Sequence, residues 1–295
     1  MSGYWLRRIA RCDPERDHQE IYRISIGFEF PWDYQRALEF ALFRTYCVPS
    51  ISHLLAATGE FEKRPQKRYD DTAVLMAELA EHGYDSPRGR EALSTINRMH
   101  GRYRIGNDDM RYVLSTFVYD PVDWIDQFGW RRLHENERLA AYFYFREVGR
   151  RMGIKDIPGD FDAFREFKDA YEEANFVHSP DNHRIGRYTV DLFCSWFPKP
   201  VRPAVALGVR SLLDERMLAA FGFGPAPAWA GRAVRAGLRA RAALVRPLPR
   251  RRKSKLLHSK VRSYPGYPTG YSPSDLGAAG PAADIDPALL RRRSR

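Results

Sequence analysis

The spacing of apolar residues constrains this chain more than any other feature of its sequence. Met110, Val113, Leu114, Phe117 and Val118 recur at three- and four-residue intervals, which place side chains on one face of an α-helix. Similar spacing recurs along most of the chain. No segment alternates apolar and polar residues between hairpin turns, as strands do. The sequence therefore predicts an all-α fold, built as a single large, bundle-like helical domain.

Proline, glycine and capping residues divide this pattern into separate elements. We expect an N-terminal arm with one short helix over residues 1–30 and a helical domain over 31–262. An extended, disordered tail rich in Gly, Ala and Pro is expected over 263–295. Asn107 is expected to cap one helix, and Asp120 and Pro121 to begin the next. Residues 60–67 read as a polar loop. The predicted helices of the domain cover 32–46, 50–59, 68–83, 86–104, 107–118, 121–129, 136–152, 160–176, 180–196, 202–221 and 229–245.

Composition narrows the class of protein. The chain has 295 residues, of which 44% are hydrophobic, enough to bury a sizeable core. Its three cysteines are odd in number and far apart, so neither a disulfide framework nor a zinc site of the CxxC type is predicted. The first residues lack the apolar stretch of a secretory signal, and no segment approaches the roughly 18 apolar residues of a membrane span. A reducing cytoplasm is the expected setting.

One histidine lies within the apolar pattern. Ser86 is a good N-cap, and from there Leu93, Ile96, His100 and Tyr103 recur at helical spacing. His100 should therefore point inward with the core residues. A buried imidazole needs a partner, either a backbone carbonyl in a purely structural role or a bound ligand. The residues of this stretch alone leave both alternatives open.

The sequence INRMH from Ile96 to His100, followed by Arg104, resembles a motif of a known family. This family includes the bacterial rubber oxygenases, or latex-clearing proteins, and the fungal mycophenolic-acid side-chain oxygenase. The resemblance implies that His100 is the proximal ligand of a b-type haem, which the helical domain encloses. Arg104, expected one turn further along the same helix, would then reach a haem carboxylate or a loop behind the cofactor.

An upstream segment adds to this resemblance. Arg68 and Thr72 have the spacing of an Arg-x-x-x-Thr pair that rubber oxygenases carry on the distal side of the haem. On a helix the two side chains lie one turn apart, and both can donate hydrogen bonds to oxygen in an apolar pocket. In the alternative interpretation, Asp70, Asp71 and Thr72 simply cap the helix that runs to Gly83.

The chain departs from the rubber oxygenases at Asp71. Those proteins have a lysine at this position that can ligate iron in the resting state. Here a carboxyl group is a candidate acid or base instead, provided that an apolar pocket raises its pKa. The predicted catalytic residues are thus Arg68, Asp71 and Thr72, with His100 and Arg104 holding the cofactor.

The resemblance implies a haem b-dependent oxygenase that uses O₂. It would oxidise an apolar small molecule, such as an isoprenoid, with oxidative C=C cleavage as one form of the reaction. The motifs of a di-iron carboxylate bundle, a covalently attached haem, a phosphate-binding loop and a nucleophile elbow are all missing from the sequence. We expect residues such as Phe40, Phe43, Met99 and Phe117 to line the apolar pocket.

The charge of the chain is concentrated near its C-terminus. Residues 217–274 hold nine Arg, three Lys and no acidic residue, whereas the whole chain has a net charge of only +11. Arg232 to Arg246 reads as a basic amphipathic helix, so residues 232–262 could contact an anionic membrane surface. A nucleic-acid contact is a weaker alternative, and a solvated connector is the third. An alternative function is thus a non-catalytic helical protein that binds a membrane or nucleic acid, with His100 structural.

Overall fold

The computed structural model describes residues 3–256, 267, 271–277 and 285–291. Within these residues the prediction of an all-α fold is confirmed: they form fourteen α-helices and no strand, with one isolated β-bridge between Tyr103 and Leu290. The helices are α1 (Tyr4–Arg11), α2 (His18–Ile24), α3 (Pro31–Thr45), α4 (Pro49–Thr58), α5 (Glu60–Lys63), α6 (Pro65–His82), α7 (Pro87–His100), α8 (Asn107–Phe128), α9 (Glu135–Arg151), α10 (Phe161–Asn175), α11 (Pro180–Ser195), α12 (Arg202–Leu212), α13 (Glu215–Phe221) and α14 (Ala228–Val245).

The N-terminal region is more helical than the predicted arm. It contains α1 as well as α2, and α2 continues into a π-helical turn at Ser25–Glu29. Ile9 of α1 and Ile21 of α2 are fully buried in one small cluster, against which Trp5 packs. Trp5 and Ile9 lie one helical turn apart, so this short helix is held by tertiary burial. The charged residues around it obscure that pattern in the sequence.

Two boundaries near α8 were predicted wrongly. A single helix runs through Pro121, because Val118, Val122 and Ile125 are buried on either side of it and compensate for the lost backbone hydrogen bond. Asn107 does not cap α8 with its side chain. Its amide instead bonds both backbone groups of Lys155, donating to the carbonyl at 3.0 Å and accepting from the N–H at 2.8 Å.

Helix α3 connects the two main parts of the core. Its first half contributes Tyr34 to a cluster formed with α2, α6, α7, α8 and α9. Its last turns contribute Phe43 to a second cluster formed with α5, α11 and α13. Both side chains are almost completely buried. Helix α3 also packs along α8, so the α3–α8 pair forms the central axis of the domain.

Helices α6 and α7 approach each other closely. Gly89, in the first turns of α7, lies against the turn that follows α6, where a Cβ atom at position 89 would come within 1.9 Å of the Gly83 carbonyl oxygen. Only glycine can occupy this position without displacing backbone. Ser86 caps α7 as predicted and accepts a hydrogen bond from the Gly89 N–H at 3.0 Å.

Described parts of the predicted tail pack against α6 and α7. Leu276 is buried, and the Tyr271 hydroxyl donates to Glu78 Oε1 at 3.0 Å. The Arg104 N–H donates to the Leu289 carbonyl at 2.9 Å. These segments therefore differ from the disordered tail that composition suggested. The rest of the predicted tail, and residues 257–262 of the predicted domain, lie outside the described residues.

A buried arginine joins three elements of the fold. Arg131 pairs with Glu29 at 2.8 Å and with Glu137 at 2.5 Å, and these two carboxylate side chains are 1% and 0% exposed. The guanidinium also stacks on Phe30, 4.6 Å from the ring centroid. Because both acidic side chains are almost fully desolvated, removal of Arg131 would leave two buried negative charges without their counterion.

We expect Arg131→Leu to lower the free energy of unfolding by about 3 kcal/mol or more, the cost of breaking a buried ion pair. Urea denaturation of the two proteins measures this difference. Arg16→Leu is the control, because Arg16 pairs with Asp13 at the surface and should change stability by less than about 1 kcal/mol. A loss for Arg131→Leu as small as that of the control would contradict the structural role of this network.

Candidate active site

Helix α6 carries the predicted distal pair. It begins at Pro65 and, together with the short helix α5, occupies most of the predicted polar loop. Arg68 and Thr72 are therefore inside α6 and one turn apart, as predicted. The alternative in which Asp70, Asp71 and Thr72 cap this helix is wrong, because the N-cap position is Arg64. The Thr72 hydroxyl donates to the Arg68 carbonyl within the helix at 3.1 Å.

The guanidinium of Arg68 lies among aromatic side chains. It stacks on Phe61, 4.5 Å from the ring centroid. Burial raises the pKa of the Tyr46 hydroxyl, and the nearby charge of Arg68 opposes that shift. Arg68 also lies close enough to His100 to affect its titration. The structure thus brings together two predicted site residues from α6 and α7.

His100 is the last residue of α7, and its ring is partly buried. Its Nδ1 atom is closed off from solvent and has no hydrogen-bond partner in the described part of the chain. Burial, and secondarily the positive charge of Arg68, lower the pKa of His100 to about 4. The imidazole is therefore neutral at physiological pH and retains the lone pair that a metal ligand needs.

Arg104 lies elsewhere than the sequence suggested. The helix ends at His100, so Arg104 is not one helical turn beyond it, and that part of the prediction is wrong. Arg104 is exposed and follows the helix in an irregular segment. Its contact with a haem carboxylate stays a prediction.

Asp71 is engaged with neighbouring side chains of the same chain. It is buried, and its Oδ2 atom accepts a hydrogen bond from Lys67 Nζ at 2.6 Å. The Tyr267 hydroxyl donates to the other oxygen, Oδ1. Lys67 also donates to the Gly277 carbonyl at 3.1 Å. Both carboxylate oxygens therefore have partners, and the acid or base role of Asp71 stays a prediction.

A cavity of about 280 Å³ lies between α3, α6 and α8, with residues 251–256 at its edge. Of the five predicted site residues, only Thr72 lines it. Phe117 lines it as expected, but Phe40 stacks on Trp124 and Phe43 packs on Phe221. Met99, also expected in the lining, lies beside Gly277. The apolar part of the lining includes Ile26, Trp32, Leu38, Leu42, Met76, Phe117 and Leu256.

Sequence reasoning missed one acidic residue in this cavity, Glu39 of α3. It is only 8% exposed, and it accepts hydrogen bonds at Oε1 from Tyr69 and from Arg36. Burial raises the pKa of Glu39 to about 7, although Arg36 and the Tyr69 hydroxyl act in the opposite direction. The sequence held no clear signal for this residue, because Gln35 and Arg36 precede Glu39 by one helical turn and make that side of the helix look solvent-exposed.

Within the residues that the structure describes, no group of three or more His, Cys, Asp or Glu side chains could hold a metal ion. None of the helices in this part of the chain has both the length and the apolar character needed to cross a bilayer. A haem with one axial imidazole requires neither feature.

One known protein family matches most of this chain in sequence. A family model described as "ER-bound oxygenase mpaB/B'/Rubber oxygenase, catalytic domain" matches residues 38–246. This range contains all five predicted site residues and helices α4 to α13, together with most of α3 and all of α14.

Three fungal proteins are similar in sequence. The ER-bound oxygenase mpaB of Penicillium roqueforti is 30% identical over 227 residues, which cover 71% of this chain and 76% of that protein. The ER-bound oxygenase mpaB' of Penicillium brevicompactum is 30% identical over 228 residues, 71% of this chain. The mpaB protein of the same fungus is 31% identical over 216 residues, 67% of this chain. The match spans only 54% and 55% of these last two proteins.

The titration of Glu39 should be visible in the stability of the protein. A carboxyl group whose pKa is raised on folding stabilises the protein below its unfolded pKa, about 4.5, and this contribution is lost as the pH rises through about 7. We therefore expect Glu39→Gln to gain about 2–3 kcal/mol relative to the wild type between pH 4 and pH 8. Urea denaturation at several pH values measures this gain.

Glu173→Gln is the matched control, because Glu173 is exposed on α10. Its effect on stability should stay within about 0.5 kcal/mol at every pH. If the free energy of unfolding changed with pH in the same way in the wild type and in Glu39→Gln, the prediction would be contradicted, because Glu39 would then titrate as an ordinary carboxyl group.

Proposed function

Because the chain belongs to the ER-bound oxygenase mpaB/B'/rubber oxygenase family, we propose that it is an oxygenase that uses haem b and O₂ to oxidise an apolar small molecule. The observation that carries this proposal is the neutral imidazole of His100, which lies beside the guanidinium of Arg68 and whose buried Nδ1 has no hydrogen-bond partner among the described residues. Both residues belong to the segments through which the sequence resembles that family.

The donor chemistry of His100 fits a haem. A buried ring nitrogen without a hydrogen-bond partner is uncommon in proteins, because an unsatisfied polar atom costs free energy. Ligation of a metal ion would remove that cost. Iron prefers a neutral imidazole, and the depressed pKa of His100 maintains this form. When bound, haem would supply the redox chemistry that activates O₂.

Arg68 and Thr72 would have different roles. The guanidinium of Arg68 is always charged and has five N–H donors, so it can stabilise negative charge that develops on oxygen. Thr72 already donates its hydroxyl hydrogen to the Arg68 carbonyl. Toward a molecule in the cavity it therefore offers lone pairs, as an acceptor. Thr72 lines the cavity, so it would contact the substrate from the same helix that carries Arg68.

We assign Asp71 a structural role. Its two oxygens accept from Lys67 and Tyr267, and Lys67 in turn bonds the Gly277 carbonyl. These contacts tie the C-terminal segment to the first turns of α6, immediately next to Arg68 and Thr72. Both carboxylate oxygens of Asp71 thus accept hydrogen bonds from side chains that hold these segments together.

The substrate would be apolar. Aliphatic and aromatic side chains form most of the cavity lining, and its volume of about 280 Å³ is near the lower end of small-molecule sites. Oxidative cleavage of an isoprenoid C=C bond would place one atom of O₂ on each carbon and form two carbonyl groups. This reaction needs no external electron donor, whereas a monooxygenation does. Incubation with candidate isoprenoids under ¹⁸O₂ distinguishes the two reactions.

We expect the purified protein to be red-brown, with a Soret absorption band and about one haem per chain. His100→Ala should lose the band, because the axial nitrogen is removed. Visible absorption and haem quantification measure both. His178→Ala is the matched control, because His178 is exposed and its Nδ1 bonds the Ala220 carbonyl of α13. A colourless wild type, or an unchanged band in His100→Ala, would refute the proposed haem site.

We also propose that α14 contacts an anionic membrane surface. Three large apolar side chains on and just after this helix are exposed: Trp229 (60%), Leu244 (73%) and Leu248 (54%). Exposed arginines accompany them at 232, 239 and 246. This combination of apolar and basic groups suits the interface of an anionic bilayer. Proteins similar to this chain are named ER-bound.

Not all of the basic segment is available for a membrane. Arg241 pairs with Asp33 at 2.8 Å and stacks on Trp32, 3.7 Å from the ring centroid. Arg250 stacks on Trp130 at 3.9 Å. These contacts attach the segment to the body of the protein and leave its outer face for the membrane.

Replacement of Arg232, Arg239 and Arg246 by Gln should weaken binding to phosphatidylserine-containing vesicles about a hundredfold, at roughly 1 kcal/mol per arginine. Vesicle co-sedimentation measures this effect. The control replaces three other exposed arginines, at 11, 16 and 90, and should bind nearly as well as the wild type. Equal loss in both variants, or binding to nucleic acid but not to vesicles, would contradict the membrane proposal.

A further inference from the structure

One end of the cavity between α3, α6 and α8 is polar. Gln35, Glu39 and Tyr69 line it there, whereas most of the remaining lining is apolar. An enclosed cavity with a few convergent polar groups is the usual form of a small-molecule site. The polar groups of such a site fix the orientation of the ligand. Glu39 and Tyr69 would therefore determine which chemical group of a ligand binds at this end.

The polar groups are held in place by a chain of hydrogen bonds. Gln35 Nε2 donates to the Tyr69 hydroxyl at 3.1 Å, and the Tyr69 hydroxyl donates to Glu39 Oε1. Arg36 Nη2 donates to the same oxygen at 2.6 Å. Trp196 packs on the Tyr69 ring, 4.9 Å between centroids. Because both of these donors use Oε1, a ligand would approach the carboxyl group of Glu39 from the side of Oε2.

The charge state of Glu39 narrows the choice of ligand. With a pKa of about 7, this carboxyl group is present in both forms at neutral pH. A carboxylate ligand would bind only the protonated form, and an ammonium ligand only the ionised form. A hydroxyl group pairs with both, because it can donate and accept. Cationic ligands are further disfavoured by the charged groups around the cavity, which are Arg36 on α3 and Arg251 and Lys255 at its edge.

We infer that this cavity binds the hydroxyl end of an otherwise apolar molecule, with Glu39 and Tyr69 as its polar anchor. The apolar body of the ligand would lie along Leu38, Leu42 and Phe117. Tyr69 and Thr72 are three residues apart on α6, so the anchored hydroxyl would sit within about one helical turn of Thr72. The identification of this ligand as the substrate rests on the proposed function, whereas binding itself does not.

Isothermal titration of the full-length protein with decanol, decanoic acid and decylamine tests this inference. Decanol should bind with a Kd that changes less than about threefold between pH 6 and pH 8. Decanoic acid should bind about tenfold more weakly at pH 8 than at pH 6, because Glu39 ionises in this range. Stronger binding of decylamine than of decanol at both pH values would overturn the proposal.

Three variants test the anchor and the location of the site. Glu39→Leu should weaken decanol binding about tenfold, the effect of one lost hydrogen bond to a buried polar group. Glu39→Gln should retain decanol binding within about threefold but lose the pH dependence of decanoic acid binding. Ala73→Leu, which fills the cavity, should abolish binding of all three compounds. Thermal unfolding verifies that each variant is folded.

Unchanged decanol affinity in folded Glu39→Leu and Ala73→Leu would place the ligand elsewhere and refute the inference. The Soret band, recorded on the same samples, shows whether the protein holds haem. The test of decanol binding and the test of the haem proposal can therefore fail separately. Decanol binding that depends on Glu39 in a colourless protein would support the binding site and refute the haem-dependent function. A red-brown protein that does not bind decanol would refute the binding site and support the haem proposal.

Discussion

The close packing of α6 against α7 is the constraint on which the proposed site depends. It brings the permanent positive charge of Arg68 near the imidazole of His100, in surroundings largely removed from water. Burial of the ring, and secondarily repulsion by the charge of Arg68, lower the pKa of His100, so its imidazole is neutral. The packing requires glycine at position 89, where any side chain would collide with the Gly83 carbonyl. A glycine contact at one end of α7 thus helps to fix an imidazole at the other.

Two further features surround this helix pair. The α3–α8 pair lies at the centre of the domain and forms the other walls of the cavity that Thr72 lines. The described C-terminal segments lie on the opposite side, where Tyr267 and Gly277 engage Asp71 and Lys67. Residues far apart in sequence therefore hold the first turns of α6 from two sides. This arrangement restricts the movement of Arg68 and Thr72 relative to the cavity.

Local patterns were sufficient for most of the fold but for less of the site. Helical periods and caps such as Ser86 predicted most helices within a few residues. They could not predict that α8 continues through Pro121, because its burial against α3 is a long-range effect. The spacing of Arg68, Thr72 and His100 placed these residues on the correct helices. It gave no indication that α7 ends at His100, that Asp71 pairs with Tyr267, or that Glu39 enters the cavity, because those features depend on contacts between distant segments.

If the imidazole of His100 holds a haem, chemical rescue of a variant without that ring should restore haem binding. His100→Gly removes the ring at the last residue of α7, where the loss of helix propensity costs at most about 1 kcal/mol. Haem titration of this variant is followed by visible absorption, with and without added imidazole. We expect His100→Gly to bind haem poorly alone and to regain the wild-type spectrum with imidazole. Wild-type haem affinity and spectrum in the variant without imidazole would contradict this expectation.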